Sequence, residues 1–209
     1  RTVPGPDCPT GLSARLRTIV AVSPPLYGLD IETDTTVDGL DPSVSPIVAV
    51  AVATPDGDRV FQGPEDLVLH RTDELMSELD PGIVVTWNGS GFDLPFLAER
   101  ARRLGVTLGL DLWDDGPERT EPGVVRGRWY AHDHLDGYRL YRADVGRSLG
   151  FPCGLKPLSR LVGLAPVEVD RSCIHLLDDA ALEAYVASDA RLARELVLRR
   201  WPVAERATD

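Results

Sequence analysis

The segment from residue 26 to residue 32 alternates between apolar and polar positions. One side of the alternation is apolar and the other carries two acids: Tyr27, Leu29 and Ile31 on the first side, and Gly28, Asp30 and Glu32 on the second. A period of two is typical of a β-strand, in which successive side chains point to opposite faces. The pattern therefore predicts a strand that packs one face in a core and presents a pair of carboxylates on the other.

Further along the chain, strand-like and helix-like periodicities follow each other. Residues 46–62 read as a β-hairpin around a turn at 55–58, and residues 83–87 as a buried strand. The helical spacing of apolar residues predicts helices at these ranges: 65–79, 93–104, 137–149, 155–163 and 178–200. Residues 134–136 suit a short strand, and 111–130 a loop or irregular hairpin. These elements predict an α/β fold with one mixed central sheet flanked by helices.

The length and composition of the chain suit a single domain. It has 209 residues, of which 43% are hydrophobic, and this is enough for one sizeable core. We expect the domain to occupy residues 25–203. Residues 1–24 are rich in proline at both ends around a short apolar run, so we predict an N-terminal extension or an edge strand there. The pattern does not decide whether this extension is ordered.

The net charge of −11 argues against broad electrostatic binding of nucleic acid. It is compatible with an enzyme that takes one end of a nucleic acid into a local site, because acids around bound metal ions are neutralised in use. Lys156 is the only lysine, and nearly all basic charge is arginine. We interpret this bias as a product of base composition rather than of function.

Neither a membrane span nor a metal site built on cysteine or histidine is indicated. No apolar run approaches the ~18 residues of a span, and the start of the chain lacks a signal-peptide pattern. The three cysteines are scattered without zinc-type spacing, so we expect structural thiols in a cytoplasmic protein. The histidines also lack a metal-binding spacing, and we expect them at the surface or in loops: His70, His132, His134 and His175.

Asp30 and Glu32 share one face of the predicted first strand, so their side chains point in a common direction. An Asp-x-Glu sequence occurs easily by chance in a chain with 33 acidic residues, and the pair could be two solvated acids on an open sheet face. In a central strand, however, two neighbouring acids repel each other unless a cation joins them. The apolar residues around the pair indicate such a central position and therefore favour a cation site.

Two more acids stand at informative positions. Asp93 begins a predicted helix, where it can be an N-cap, a metal ligand or both. Asp189 falls on the apolar stripe of the last helix, where an unpartnered carboxylate is costly. It needs a metal or an arginine, and Arg191 and Arg194 are near in sequence but project to other faces. Tyr185 lies one turn before Asp189 and is either a core tyrosine or a hydroxyl aimed at whatever Asp189 binds.

The order of these motifs resembles the DEDD superfamily of 3′→5′ exonucleases, most closely the proofreading domain of family B DNA polymerases. Residues 27–33 (Tyr-Gly-Leu-Asp-Ile-Glu-Thr) look like the first exonuclease motif, and residues 87–100 look like the second. Tyr185 and Asp189 match a third motif, Tyr-x-x-x-Asp. The histidine branch of the superfamily would place a histidine at position 184, where this chain has Ala184, so the resemblance favours the tyrosine branch.

The resemblance implies a ribonuclease H-like fold and two divalent cations, Mg²⁺ or Mn²⁺. Hard oxygen ligands suit both ions. The implied ligands are four carboxylates: Asp30, Glu32, Asp93 and Asp189. Tyr185 would orient the attacking water, since its ordinary pKa of about 10 makes it a poor base at neutral pH. Asp136 is similar to an Asp that precedes a helix in the polymerases, and we predict that it caps that helix.

The same resemblance suggests contacts to a nucleic acid with a free 3′ end. The candidates for binding the terminal nucleotide are the backbone at Ile31 and Thr33 together with Asn88 and Phe92. The side chain of Phe92 could instead belong to the core. Arg128, with Arg126 and Trp129, could track a single strand by charge and stacking, or belong to a solvated loop.

Three functions remain open on the sequence. The leading hypothesis is a DNA 3′→5′ exonuclease that prefers single-stranded ends. The second is an exonuclease for RNA or short oligonucleotides that uses the same site, because the fold does not fix the sugar. The third is a nucleic-acid-binding module with an inactive nuclease fold, which the presence of all four acids and Tyr185 argues against. No protein partner is indicated.

Overall fold

The computed structural model describes residues 23–114 and 125–201. Seven strands of this part form one mixed sheet: β1 (Leu26–Thr33), β2 (Ile47–Thr54), β3 (Gly57–Gln62), β4 (Ile83–Thr86), β5 (Leu110–Asp114), β6 (Val125–Trp129) and β7 (His132–Asp136). Their order across the sheet is β3-β2-β1-β4-β7-β6-β5. The predicted α/β architecture with a mixed central sheet is confirmed. Nearly all of the predicted extension at 1–24 lies outside the described residues.

Helices cover the sheet and join its strands. They are α1 (Glu65–Glu78), α2 (Asp93–Leu104), α3 (Gly137–Tyr141), a π-helical turn (Arg142–Gly146), α4 (Arg147–Leu149), α5 (Leu155–Leu161), a 3₁₀ helix (Arg171–Leu176) and α6 (Asp179–Arg199). Within the two described stretches of chain, none of these helices is both long and apolar enough to cross a membrane.

Three neighbouring strands of the sheet run in the same direction. β1 is parallel to β4, and β4 is parallel to β7, whereas β2 and β6 run antiparallel to β1 and β7. The carboxyl ends of β1, β4 and β7 therefore lie at one edge of the sheet. The loops that follow these strands converge at that edge, which is where open α/β sheets commonly bind ligands.

The two faces of β1 are buried against different helices. Tyr27, Leu29 and Ile31 pack into a core with α1 and α2. The opposite face of the sheet is covered by α6, which also packs on three alanines of β2: Ala49, Ala51 and Ala53. Since β1 lies inside the sheet and is covered on both sides, the central position predicted for it is confirmed.

Small residues allow α6 to approach the sheet closely. A Cβ atom added at Gly28 would lie 2.0 Å from the carbonyl oxygen of Ala190, so no larger residue fits there without moving the helix. Gly28 and Asp30 are two residues apart on the same face of β1, and Asp189 precedes Ala190 in α6. The close contact at Gly28 therefore brings the carboxylate of α6 beside that of β1.

Several local predictions need correction. Residues within 111–130 form a regular antiparallel pair, β5 with β6, and residues 115–124 between them lie outside the described residues. The helix predicted for 137–149 is interrupted by the π-helical turn. His132 is not a loop residue: it begins β7, is 1% exposed, and its Nε2 lies 2.8 Å from the carbonyl oxygen of Met76. The edge of its ring meets the ring of Tyr27, so it belongs to the core.

Candidate divalent-cation site

Three predicted acids meet at the carboxyl end of β1. Asp30 and Glu32 of β1 and Asp189 of α6 each place a carboxylate oxygen so that the three atoms lie within 4.8 Å of one another. Glu32 and Asp189 are each 7% exposed, and both residues line an open cavity of about 720 Å³ together with Asp30. Carboxylates at this spacing repel one another, which makes the position favourable for a cation.

Asp93 lines the same cavity but lies outside the group of three. It is the first residue of α2, and its side chain makes no N-cap hydrogen bond, since the N-cap position is Phe92. The N-cap alternative for Asp93 is therefore not what the structure shows. Its buried carboxyl instead faces the cavity that the other three acids share.

The loop between β4 and α2 is held by Asp136 at the end of β7. One carboxylate oxygen of Asp136 accepts hydrogen bonds from the backbone N–H groups of Asn88 and Tyr138, and the other accepts from the N–H of Ser90. Asp136 caps α3, as predicted, and it also ties the Asn88 loop to the sheet. Asn88 itself adopts a positive φ of 70°. Asp136, which holds the loop before α2, is thus two strands away from β1 in the sheet.

Burial and mutual repulsion raise the pKa values of the acids. Burial, together with Asp189, raises the pKa of Glu32 to about 8. Burial raises the pKa of Asp93 to about 7, and Asp136 adds to the effect. The pKa values of Asp30 and Asp189 are also raised, chiefly by burial. Without a cation, part of the cluster therefore holds protons at neutral pH.

Two basic side chains that the sequence analysis did not select lie in the same cavity. Lys156 of α5 places its Nζ 3.1 Å from Oδ1 of Asp189 and 4.0 Å from the ring centroid of Tyr185. Arg171, the first residue of the 3₁₀ helix, lines the cavity, and its positive charge lowers the pKa values of Asp30 and Glu32. The single lysine, which the sequence analysis attributed to base composition, thus lies beside the acids.

Neither basic residue could have been found from a motif. Lys156 and Arg171 are far from the acids in sequence and lie on short helices whose packing depends on the whole fold. The one available signal was that the chain has a single lysine, placed in a segment with helical spacing. By contrast, Arg191 and Arg194 bind elsewhere, as predicted: Arg191 pairs with Asp58, and Nε of Arg194 donates to the carbonyl oxygen of Leu26.

Tyr185 lies beneath the acid cluster rather than on the cavity wall. It is fully buried, and its hydroxyl has no hydrogen-bond partner. Burial, followed by the charges of Glu32 and Asp189, raises its pKa above the ordinary value. The hydroxyl therefore stays protonated at neutral pH, where it can donate a hydrogen bond but cannot act as a base.

The donor set suits hard divalent cations. Oδ2 of Asp30 is a buried oxygen without a hydrogen-bond partner, whereas Oδ1 of Asp189 has the Lys156 ammonium 3.1 Å away. Buried polar atoms are normally paired, so the unpaired oxygen of Asp30, beside two further carboxylates, points to a missing partner. Because all the donors are carboxylate oxygens, Mg²⁺ or Mn²⁺ fits better than zinc.

Four of the five residues proposed to contact nucleic acid lie around the cavity or next to it. Ile31, Asn88 and Phe92 line it, although the Ile31 side chain is part of the core. The Phe92 ring lies 5.2 Å from that of Phe96 and packs against the core, so it has a structural role as well. Thr33 lines a neighbouring depression, and its hydroxyl donates to the carbonyl oxygen of Gly39.

Arg128, the fifth residue predicted to contact nucleic acid, lies away from the cavity. It sits on β6, where it pairs with Asp133 at a distance of 2.6 Å. Asp133 is near the start of β7, whereas the cavity lies at the other end of the parallel strands, near Asp136. The antiparallel direction of β6 therefore carries Arg128 away from the acid cluster.

A buried carboxylate cluster at the carboxyl edge of a mixed, helix-flanked sheet defines a candidate divalent-cation site on an α/β domain. Residues 52–119 match the family "DNA polymerase family B, exonuclease domain". This match covers less than half of the chain and includes Asp93 but not the other three acids. The chain is 30% identical over 137 residues to a DNA polymerase of Pyrococcus glycovorans, which covers 57% of this chain and 17% of the polymerase.

A second relative and a solved structure are also DNA polymerases. A DNA polymerase of Thermococcus aggregans is 43% identical over 59 residues, which are 28% of this chain and 3% of that protein. The solved structure of the family B DNA polymerase of Pyrobaculum calidifontis superposes with a TM-score of 0.70 and 26% identity, covering 87% of this chain and 25% of that one. The chain thus spans at most a quarter of the length of these relatives. The seven-stranded sheet with flanking helices is a ribonuclease H-like fold, and the matches support an exonuclease-like domain.

Proposed function

We propose that this protein is a metal-dependent 3′→5′ exonuclease that removes nucleotides from single-stranded DNA ends. The observation that carries the proposal is the meeting of Asp30, Glu32 and Asp189 beside Asp93 in one open cavity. These acids come from three separate parts of the sequence, and their mutual repulsion has no structural benefit. The likeness to DNA polymerases supports DNA as the substrate.

The four carboxylates would hold two divalent cations. Such ions, when bound, stabilise the charge on the reacting phosphate and make a water molecule a stronger nucleophile. Asp30, Glu32 and Asp189 would hold the cations from their common cluster, where Asp30 offers a buried unpartnered oxygen. Asp93, which lines the same cavity, would contribute directly or through water.

Tyr185 and the two basic residues would act on the phosphate and the water. The Tyr185 hydroxyl stays protonated, so it would orient the attacking water by a hydrogen bond rather than remove its proton. Its place one turn before Asp189 supports assignment to the tyrosine branch. Lys156 and Arg171 would face the anionic phosphate, where positive charge favours the transition state.

The terminal nucleotide would bind at the walls of the cavity. The backbone at Ile31 and the side chains of Asn88 and Phe92 would surround the sugar and base, with Thr33 fixing the loop behind them. The positive φ of Asn88 aims this residue into the cavity mouth at some conformational cost, which is more common at functional sites than elsewhere.

The test is a cleavage assay on single strands of DNA and RNA that carry a label at the 5′ end. With Mg²⁺ or Mn²⁺ we expect stepwise shortening of DNA from the 3′ end, and no cleavage in EDTA. Asp30→Asn should reduce the rate by at least about a thousandfold. Asp133→Asn, which removes an exposed acid outside the site, is the matched control and should retain activity.

The other outcomes decide between the remaining functions. If RNA but not DNA is shortened, the protein is an exoribonuclease and not a DNA exonuclease. Binding of either strand without cleavage, in the presence of both metals, would make the protein a binding module. Full activity of Asp30→Asn would remove the acid cluster from the chemistry altogether.

A further inference from the structure

The ammonium group of Lys156 is held at three points beside the acid cluster. Its Nζ lies 3.1 Å from Oδ1 of Asp189 and 4.0 Å from the centroid of the Tyr185 ring. It also donates a hydrogen bond to the carbonyl oxygen of Val167, in the segment that follows α5. The side chain of Lys156 is only 15% exposed, so these contacts fix the ammonium at the wall of the acid cavity, which Lys156 lines.

The segment that holds Lys156 is itself tied to α6. The backbone N–H of Val167 donates a 3.1 Å hydrogen bond to Oγ of Ser188, the residue before Asp189. The stretch of α6 that carries the ring of Tyr185 and the carboxylate of Asp189 therefore also positions the carbonyl oxygen of Val167. A carboxylate, a carbonyl oxygen and an aromatic face are three groups that bind cations, and here all three contact the same ammonium.

A divalent cation on the acid cluster would compete with this ammonium for Asp189. Asp189 is one of the three acids whose carboxylate oxygens lie within 4.8 Å of one another, and it is buried. A magnesium ion binds oxygen at about 2.1 Å, so an ammonium that stays beside the same carboxylate is repelled by the ion. Solvent ions screen such a repulsion little in a buried place. The two cations therefore exclude each other from Asp189.

The type of basic residue suits a contact that is exchanged. A lysine ammonium is a compact charge on a flexible stem, whereas an arginine guanidinium is a planar fork that binds a carboxylate at two points. Arg100 shows such a fork in this chain, because its Nε and Nη2 donate to the two carboxylate oxygens of Glu65. The approach of Lys156 to Asp189 is a single contact, which the ammonium can give up without breaking a second bond to that carboxylate.

We infer that Lys156 takes the place of a cation on Asp189 in the metal-free site, gives up this contact when a divalent cation binds, and then pairs with the phosphate of the nucleic acid. The inference rests on the proposed function for the nature of these two ligands. Because one ammonium serves either Asp189 or the phosphate, each ligand favours the binding of the other. Lys156 is thus a positioning residue that links metal binding to phosphate binding.

The single lysine makes this exchange directly observable. The full chain prepared with lysine labelled by ¹³C at the ε carbon gives one labelled side-chain signal by NMR, because Lys156 is the only lysine. In EDTA the ring of Tyr185 should shift the signal of the ε protons upfield. Saturating Mg²⁺ should move the signal toward the position of free lysine, and thymidine 5′-monophosphate added with Mg²⁺ should move it again.

Calorimetric titration with Mn²⁺ measures the same competition as an affinity. Lys156→Met should lower the Kd for Mn²⁺ by about tenfold, because it removes a like charge beside the bound ion. Lys156→Gln, which can still donate a hydrogen bond to Val167, should do the same, and it carries the test if the Met variant does not fold. Thymidine 5′-monophosphate should lower the Kd for Mn²⁺ at least about fivefold more in the unmodified protein than in either variant.

Arg160→Met is the matched control. Arg160 lies on the same helix as Lys156 and pairs with Glu168 outside the acid cavity, so its replacement removes one positive charge without touching Asp189. The Kd for Mn²⁺ should then change by less than about twofold. Equal tightening in Arg160→Met and Lys156→Met would overturn the inference by showing that only net charge counts. A Kd that is unchanged or raised in both Lys156 variants, or a lysine signal that saturating Mg²⁺ does not move, would overturn it as well.

Cleavage separates this inference from the proposed function. If Mg²⁺ moves the Lys156 signal and the Lys156 variants bind Mn²⁺ more tightly, but neither DNA nor RNA is cleaved, the proposed function is refuted and the exchange stands. If DNA is cleaved in Mg²⁺ while the Lys156 signal and the Kd for Mn²⁺ do not respond, the exchange alone is refuted. If neither the unmodified protein nor the variants bind Mn²⁺, both are refuted.

Discussion

At the scale of single residues, the carboxylates of the site repel one another, and nearby positive charges reduce this repulsion. Asp189 shows this balance most directly. It is a buried carboxylate on a helix that otherwise packs against a sheet, and Lys156 supplies a positive charge 3.1 Å away. Burial, with the neighbouring acids, still raises the pKa values of Glu32 and Asp93 to about 8 and about 7. The remaining compensation falls to Arg171 and to bound cations.

Lys156→Met should therefore destabilise the metal-free protein more than the metal-bound protein. Without Lys156 the acids lose a compensating charge, whereas a divalent cation would replace that charge when it binds. We expect the melting temperature in EDTA at about pH 8 to fall by roughly 5 °C, with a smaller loss in excess Mg²⁺. Lys156→Arg, which keeps the charge, is the control. An equal loss with and without Mg²⁺ would show that Lys156 acts through packing alone.

Tyr185→Phe tests the other buried group of the site. The hydroxyl has no hydrogen-bond partner in the protein, so its removal leaves no buried atom unpaired and should change the free energy of unfolding by less than about 1 kcal/mol. If the hydroxyl orients the attacking water, kcat should fall by about 10- to 100-fold while the Mg²⁺ requirement persists. Urea unfolding and steady-state cleavage measure the two effects. An unchanged kcat would limit Tyr185 to the core.

At the scale of elements, the site depends on how closely α6 can approach β1. Glycine and alanine line the contact: Gly28 of β1 meets the backbone of Ala190, and alanines of β2 lie under the same helix. Small side chains on the sheet thus decide the distance between Asp30 and Asp189. The acids are placed by residues that carry no chemistry of their own.

Gly28→Ala should separate the acids by pushing α6 from the sheet. Its Cβ would lie 2.0 Å from the carbonyl oxygen of Ala190, in a contact between two backbones that cannot relax by a side-chain rotation. We expect a loss of about 2–3 kcal/mol in the free energy of unfolding and a weaker response of stability to Mg²⁺. Gly154→Ala, whose Cβ would meet Pro157 no closer than 3.3 Å, is the control. Equal urea midpoints for both variants would contradict the prediction.

The elements that could be predicted from the sequence are those with strong periodicity. β1, the hairpin of β2 and β3, and α1, α2 and α6 agree with their predicted ranges to within about two residues. The 3₁₀ helix at Arg171–Leu176 was missed, because its residues have no amphipathic period. For the same reason Arg171 did not enter the predicted site. Asp189 could be selected because it interrupts an apolar stripe, and Asp30 and Glu32 because they share one face of a predicted strand, whereas Arg171 stands in no such pattern.

At the scale of the whole molecule, the acid cavity has the same sign of charge as the chain as a whole. A polyanion approaching a chain with a net charge of −11 is repelled at a distance, so its capture depends on local charge. Bound divalent cations would reverse the sign of the cavity, which Lys156 and Arg171 already line. Metal binding and capture of the substrate are in this way linked by electrostatics.

The same linkage predicts how stability depends on pH and metal. The folded, metal-free protein holds protons on Glu32 and Asp93, with pKa values of about 8 and about 7, whereas the unfolded chain titrates near 4.5 and 3.8. The stability contributed by these protonated groups is therefore complete below about pH 4, and is lost as the pH rises through about 7 to 8. Divalent cations must displace the same protons, so they bind more tightly as the pH rises.

We expect the rise in melting temperature caused by excess Mg²⁺ over EDTA to grow by at least about 5 °C between about pH 6 and about pH 8. Taking the difference at each pH removes the contributions of groups remote from the site, which titrate equally in both conditions. Asp30→Asn deletes one ligand charge and should abolish most of this increase of the Mg²⁺ effect with pH. Asp133→Asn should preserve the increase. A Mg²⁺ effect that is independent of pH would mean that the buried acids are not where the cation binds, and the proposed mechanism would fail with it.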